Sequence, residues 1–344
     1  MPKDLVVGLD SSTTATKAIA WNREGAAIAE GRGPIPLSSP RPDWYEQSAE
    51  DWWSSACAAL RAVAQQVSPS RIAAIAISNQ RETFAPLAED GSAVRPAIIW
   101  MDRRCQDEVD WLCARVGRRR IHEISGKPPD MAPVAYRLAW MLRHEPELYR
   151  RTARFADVHA YLTWRLTGSF RTSWASADPL GLLDMREMRW RPEILSHLDL
   201  PAAKLPEPVP PGSVTGYVNE AASSATWLPV GVPVVACGGD GQAAGLGVNA
   251  LGEGRAYLNL GTAVVAGVYA AAYSIGDAWR TMCSCSGDGY YLETSLRSGT
   301  FLIDWFLDQC GGHAPKAEVR ARLDSEAARL PPGSGGVLAV PYWG

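Results

Sequence analysis

The sequence predicts an α/β protein made of two related domains that face one cleft. The opening residues alternate as a three-strand meander, and a helical stretch followed by a buried apolar run extends this to a βββαβ order. That order is neither the strict βα alternation of a doubly wound sheet nor an all-β pattern. A hairpin of the same outline returns over residues 256–269, and two like hairpins in two halves of a chain suggest a duplicated pair. A length of 344 residues, 47% of them hydrophobic and 21% charged, allows about two domains with a sizeable core.

Residues 5–10, 16–21 and 26–31 read as strands, joined by a polar turn and by a second turn at 22–25. Trp52, Trp53, Ala56, Leu60 and Val63 recur at helical spacing, so 49–66 is a helix, and 71–78 is a buried strand. A strand over 96–100 ends on Trp100. Helical periods over 107–116, 135–143 and 155–166 form an insertion or cap on the first sheet, a place for substrate walls. A Pro-rich connector at 201–211 precedes a strand at 232–237, the run Gly238-Gly239-Asp240-Gly241 and a small-residue helix at 243–248. Strands at 256–260 and 264–269 flank the tight turn Gly261-Thr262-Ala263. The chain closes on a loop at 331–336 and a short strand at 337–340, as if in mid-domain.

Composition narrows the function. A net charge of −3 with dispersed Lys and Arg, apart from a short run at 118–120, offers no basic face for a nucleic-acid backbone. No basic-then-apolar leader and no run near 18 apolar residues occurs, so the expectation is a soluble cytoplasmic protein with no membrane partner. Seven scattered cysteines fit reduced core thiols, with Cys283 and Cys285 structural rather than metal-binding. Fourteen tryptophans supply core and pocket walls.

Three clusters carry chemistry. Asp10-Ser11-Ser12-Thr13-Thr14 closes a strand, where N–H groups and hydroxyls converge on an anion. A carboxylate beside phosphates needs a bridging cation, which implies Mg²⁺ at Asp10, a hard ion that favours oxygen ligands. Read alone, the same residues make a plain hairpin turn. Gly261-Thr262 offers the same device again. Asp240, between glycines that let backbone approach a ligand, suits the base that takes a proton from an attacking hydroxyl; the bland reading is a helix cap. Ser78-Asn79-Gln80-Arg81-Glu82-Thr83 follows a strand, and Arg81 with Glu82 suits a clamp on vicinal hydroxyls, or else a surface ion pair. Trp100 adds an apolar platform and Asp102 another acceptor.

Together these residues resemble the FGGY family of carbohydrate kinases, from Val6 to the last residue. Residues 8–18 look like its first phosphate motif, 236–247 like the segment with its catalytic Asp, and Leu260-Gly261-Thr262 like its second phosphate motif. The resemblance implies an actin-like ATPase (ribonuclease H-like) fold of two domains, ATP and Mg²⁺, and a homo-oligomer, a homodimer at full length. It places the N-terminal domain at 1–248 and the start of an incomplete C-terminal domain at 254–344. It assigns Asp240 as base, Asp10 near Mg²⁺, Ser12, Thr13, Thr14, Gly261 and Thr262 to phosphates, and Arg81, Glu82, Trp100, Asp102, Asp240 and Gln242 to the sugar or polyol.

The segments around Arg81 and Trp100 look closest to glycerol kinase, with three departures: no pocket Tyr near 131–134, Gly241 where a Gln is expected, and Val265 where a Phe is expected. The last two place smaller side chains at the pocket, which is expected to be roomier, and 176–190 looks more like the xylulokinase branch. The implied substrate is a pentulose or pentitol, with glycerol as the alternative. Family members run about a third longer and carry the adenine-binding segment there, so the chain is expected to be a fragment that binds ATP weakly. A non-catalytic sugar-binding pseudokinase is the competing reading. An actin- or chaperone-like ATPase would leave the Arg81–Glu82 pocket without a use.

Overall fold

The computed structural model describes residues 3–260, 264–296, 299–312 and 314–338. Its first sheet has six strands: β1 (Leu5–Ser11), β2 (Ala15–Trp21), β3 (Ala27–Pro34), β4 (Ile72–Asn79), β5 (Val214–Tyr217) and β6 (Pro233–Gly239), in the order β5-β6-β4-β1-β2-β3. The meander β1–β3 is antiparallel, whereas β1, β4 and β6 run parallel. Parallel register aligns Asp10 with Ser78 and Gly239 with Asn79. The loops that leave β1, β4 and β6 therefore share one edge, the place where open α/β sheets hold ligands.

Helix α1 (Ala49–Gln66) starts where the Ser48 hydroxyl accepts from the Glu50 N–H at 3.2 Å, and Glu50 and Asp51 in its first turn oppose the helix dipole. Trp52, Ala56, Leu60 and Val63 are its buried stripe, packed with Val7, Leu9, Ile75 and Ile77 of the sheet. A second core surrounds helix α2 (Val134–His144) with Phe84, Ile98, Leu183 and Trp190. Helix α3 (Val158–Thr167) closes the first core.

A four-stranded sheet nearer the C-terminal end, hereafter the second sheet, is antiparallel throughout: β7 (Ala256–Leu260), β8 (Val264–Ala270), β9 (Arg280–Cys283) and β10 (Tyr290–Leu296), in the order β7-β8-β10-β9. Tyr257, Met282 and Tyr291 form a small cluster on it, against which Val265 packs.

Several expectations move. Arg154–Asp157 is a strand paired with Phe84–Leu87, not the start of a helix, and the Asp157 carboxylate caps α3 by accepting from Ala160 N–H at 3.0 Å. A short apolar run fits both periods, and the sheet partner decides. The strand expected over 96–100 is only Ala97–Ile98. The connector after 201 contains the strand Glu207–Val209, paired with Arg171–Ser173. Ser334–Gly336 is a 3₁₀ turn, residues 337 and 338 form no strand, and 339–340 lie outside the described residues. Among the described residues no helix is long and apolar enough to cross a membrane.

Candidate active site

Asp10 and Asp240 stand at the shared edge. Asp10 ends β1, and Ser78 Oγ at the end of β4 donates to its Oδ1 at 2.7 Å. Burial raises its pKa above the ordinary carboxylate value, against the hydrogen bond from Ser78 and the charge of Lys17. Asp240 is the first residue of helix α4 (Asp240–Gly247), which begins three residues earlier than the small-residue pattern suggests. Gly239 occupies the cap position, so the capping role weighed for Asp240 is not made; its Oδ1 accepts instead from the adjacent Gly241 N–H at 2.8 Å. Its side chain is 49% exposed, yet protein crowds closely around the carboxyl group. That crowding lifts its pKa to about 6; Arg81 opposes the rise, and the Asp10 and Glu82 carboxylates add to it.

The glycines around Asp240 make room for Arg81. A Cβ at Gly239 would lie 2.4 Å from both Cγ and Cδ of Arg81, and one at Gly241 would lie 3.1 Å from its Cζ and Nη2. The Arg81 stem therefore crosses Gly239 and its guanidinium covers Gly241. Nε faces Asp240 Oδ1 at 3.3 Å, and Nη1 reaches Gln242 Oε1 at 3.3 Å and both oxygens of Glu293 at 2.9 and 3.0 Å. The roomier pocket expected from Gly241 is thus not found there: Arg81 and Glu293 fill the space. Nor does Val265 open it, being packed on the Tyr257–Tyr291 cluster.

Glu82 is buried with a left-handed backbone, φ 46°, and its carbonyl accepts from Arg137 Nη2 at 2.5 Å. Gln242 is wholly buried and committed: Nε2 donates to Ala175 O at 2.9 Å and to Asp178 Oδ1 at 3.1 Å. Trp100 is 45% exposed and its indole N–H donates to Thr13 Oγ1 at 2.9 Å, which ties the expected platform to the expected phosphate turn. That turn is set from below as Gln47 Nε2 donates to Thr13 O at 2.6 Å, and from within as Ser12 Oγ donates to Ala15 O at 2.8 Å. Thr14 is exposed. Asp102 differs from the rest: one oxygen accepts from Tyr45 N–H at 2.7 Å and from Arg104 Nη2 at 2.7 Å, the other from Arg104 N–H at 3.0 Å and Nε at 2.8 Å, and the pair is fully enclosed. Its carboxylate supports the Trp100 turn and offers no open face to a ligand. Gly261 and Thr262 lie outside the described residues.

Sequence reasoning missed the groups that hold this edge from the other sheet. Arg280 and Glu293 sit opposite each other on β9 and β10. Arg280 Nη1 donates to Glu82 Oε1 at 2.7 Å, its Nε to Glu293 Oε1 at 2.7 Å, and the Tyr257 hydroxyl to Glu293 Oε2 at 2.6 Å. Burial would raise the Glu293 pKa, but Arg81 and Arg280 outweigh it and hold it at about 2. Behind them Lys127, its pKa lowered by burial against the pull of Asp178, donates to Thr281 O at 2.8 Å and lies 3.4 Å from Asp178. The available signal was opposite charges on two strands, useless until the register was known. A cavity of about 250 Å³ adjoins the array, lined among others by Lys127, Asp130, Trp279, Arg280 and Glu293.

Parallel strands that deliver two carboxylates and a hydroxyl-rich turn to one edge, faced by a second sheet, are the arrangement that the resemblance to an actin-like α/β phosphotransferase implied. The chain belongs to the FGGY family of carbohydrate kinases: residues 5–247 match the model described as "FGGY family of carbohydrate kinases, N-terminal domain". It is 31% identical over 344 residues to a xylulose kinase of Escherichia coli, covering 98% of this chain and 69% of that protein. It is also 31% identical to a glycerol kinase of Thermococcus kodakarensis, covering 98% of this chain and 69% of that one. Among solved structures, a xylulose kinase from Rhodospirillum rubrum superimposes with a TM-score of 0.93 at 27% identity, over 98% of this chain and 70% of that chain.

Proposed function

We propose that this chain transfers the γ-phosphoryl group of ATP to a hydroxyl of a small sugar or polyol, with a five-carbon ketose or polyol preferred over glycerol and Asp240 as the base. The observation that carries the reading is Asp240 itself: a half-exposed carboxylate beside Arg81 and on the same edge as Asp10, with a pKa of about 6. Such a group is ionised at neutral pH yet basic enough to accept a proton.

In the proposed reaction Arg81 and Glu82 orient hydroxyls that flank the reacting one, and Trp100 covers an apolar face of the carbon chain. Asp240 accepts the hydroxyl proton as the oxygen bonds to the γ-phosphorus and the bond to the β–γ bridging oxygen breaks, releasing ADP. Ser12, Thr13 and Thr14, with Gly261 and Thr262, would hold the phosphates. Asp10 fits a Mg²⁺: its carboxylate is an oxygen donor whose anionic form is disfavoured by burial and would gain from a cation. No cluster of three metal-binding side chains occurs among the described residues, which suits an ion held by one carboxylate with water and phosphate oxygens. Bound there, Mg²⁺ would offset the charge of the phosphates.

The preference for five carbons draws on the cavity beside Arg280 and on the xylulose kinase relatives. A panel of D-xylulose, D-ribulose, xylitol, D-arabitol and glycerol with ATP tests it. A five-carbon compound is expected to exceed glycerol in kcat/KM by about tenfold, within the range that added pocket contacts supply. Glycerol outcompeting all four would contradict the preference.

A further inference from the structure

Arg81 and Glu82 are neighbours in sequence, and besides the Arg81–Asp240 contact each has an ionic partner on the second sheet. Arg81 pairs with Glu293, Glu293 with Arg280, and Arg280 with Glu82, so four buried or largely buried groups link the end of β4 to facing positions of β9 and β10. Charges this enclosed persist only when each is paired and hydrogen-bonded. Glu82 adds a second cost, its left-handed backbone, which survives where the surroundings over-determine it. Arg137 fixes its carbonyl and Arg280 fixes its carboxylate.

The array also has a direction. At one end Arg81 Nε meets Asp240, and at the other Arg280 and Glu293 line the cavity they share with Lys127, Asp130 and Trp279. A network serving stability alone would have no reason to run from an open carboxylate to an open cavity.

We infer that Arg280 and Glu293 are positioning residues for polyol binding, holding the Arg81 guanidinium and the Glu82 carboxylate in the orientation that meets substrate hydroxyls. The inference rests on the sugar-kinase reading above. Without Arg280, Glu82 loses the donor that aims its carboxylate. Without Glu293, the Arg81 and Arg280 guanidinium groups lose the carboxylate they share, and Arg81 is left with only its longer contacts to Asp240 and Gln242.

The test uses the full chain carrying Arg280→Gln, Arg280→Lys or Glu293→Gln, with D-xylulose, xylitol and glycerol as probes, followed by calorimetric binding, thermal unfolding and steady-state kinetics. Arg280→Gln is expected to weaken polyol binding about tenfold or more while the KM for ATP stays within about twofold. Arg280→Lys, which keeps the charge with fewer donors, is expected to recover part of the loss. Should the single variants fail to fold, Arg280→Gln combined with Glu293→Gln removes one charge of each sign and is expected to show the same weakening. Unchanged polyol affinity in a folded Arg280→Gln or double variant overturns the inference. If wild type binds polyols and phosphorylates none, the kinase reading fails while the positioning claim stands on binding. If wild type phosphorylates them and the folded variants bind normally, the positioning claim fails and the kinase reading stands.

Discussion

At the scale of single residues, burial sorts the carboxylates into roles. Asp240 has a raised pKa, about 6, and is solvent-facing. As a base it works ionised, so kcat/KM is expected to fall as pH drops through about 6, measured across pH 5–8 with the preferred substrate. The stability effect has the other sign: because folding favours its protonated form, Asp240 costs stability as pH rises from the unfolded value near 4 through 6. Asp240→Asn is therefore expected to raise Tm more at pH 8 than at pH 5. Glu293 is the reverse case. Held at about 2, it contributes stability that is present above its ordinary value of 4.5 and lost as pH falls toward 2.

Asp102 shows how far residue identity alone can mislead. It stands two positions after Trp100, and an acceptor there reads as a ligand group. In the fold Tyr45 and Arg104 take both oxygens out of solvent. Asp102→Ala is expected to cost about 1–3 kcal/mol of stability by leaving the Tyr45 N–H and part of the buried Arg104 guanidinium without their acceptor, while Glu46 still pairs Arg104 at 2.8 Å, checked by denaturant unfolding. Local sequence names a carboxylate but not what surrounds it.

At the scale of elements, the helix over 49–66 and the β1–β3 meander were legible because each carries a whole period: apolar residues at helical spacing in one, alternation broken by polar turns in the other. Arg154–Asp157 was not, since four residues hold too little of either period. The stripe of α1 packs mainly on β3 and β2, in the same sheet whose strands β1 and β4 carry Asp10 and Ser78. Leu60→Ala in that stripe is expected to destabilise the protein by about 2–5 kcal/mol through the cavity it leaves, measured by urea unfolding. The Asp10 turn is tied to the same layer: Gln47, which receives a hydrogen bond from Trp52 Nε1 at 2.9 Å, donates to Thr13 O. The core thus fixes the turn through two hydrogen bonds rather than through the turn's own sequence.

At the scale of the whole molecule, the α/β class was legible from element order, and parallel β1, β4 and β6 bring the loops carrying Asp10, Arg81 and Asp240 to one edge, while Thr262, the third group expected at that gap, lies outside the described residues. The contribution of the second sheet was hidden. Arg280 and Glu293 are thirteen residues apart, in strands whose alignment depends on the turn between them, and nothing local marks them as partners of residues about 200 positions earlier. Gly241 was misread for the same reason: it looks like vacated space until Arg81 is seen lying over it. Motifs reveal which groups do chemistry; the charges that hold those groups come from pairings made only on folding.

The central claim is that the Asp240 carboxylate takes the substrate proton. Its most direct test is Asp240→Asn in the full chain, with sugar-dependent ADP formation and calorimetric sugar binding measured on the same preparation. The account predicts loss of turnover by at least about a hundredfold with sugar affinity largely kept. Turnover within about tenfold of wild type, in a variant that still binds the sugar, would contradict it.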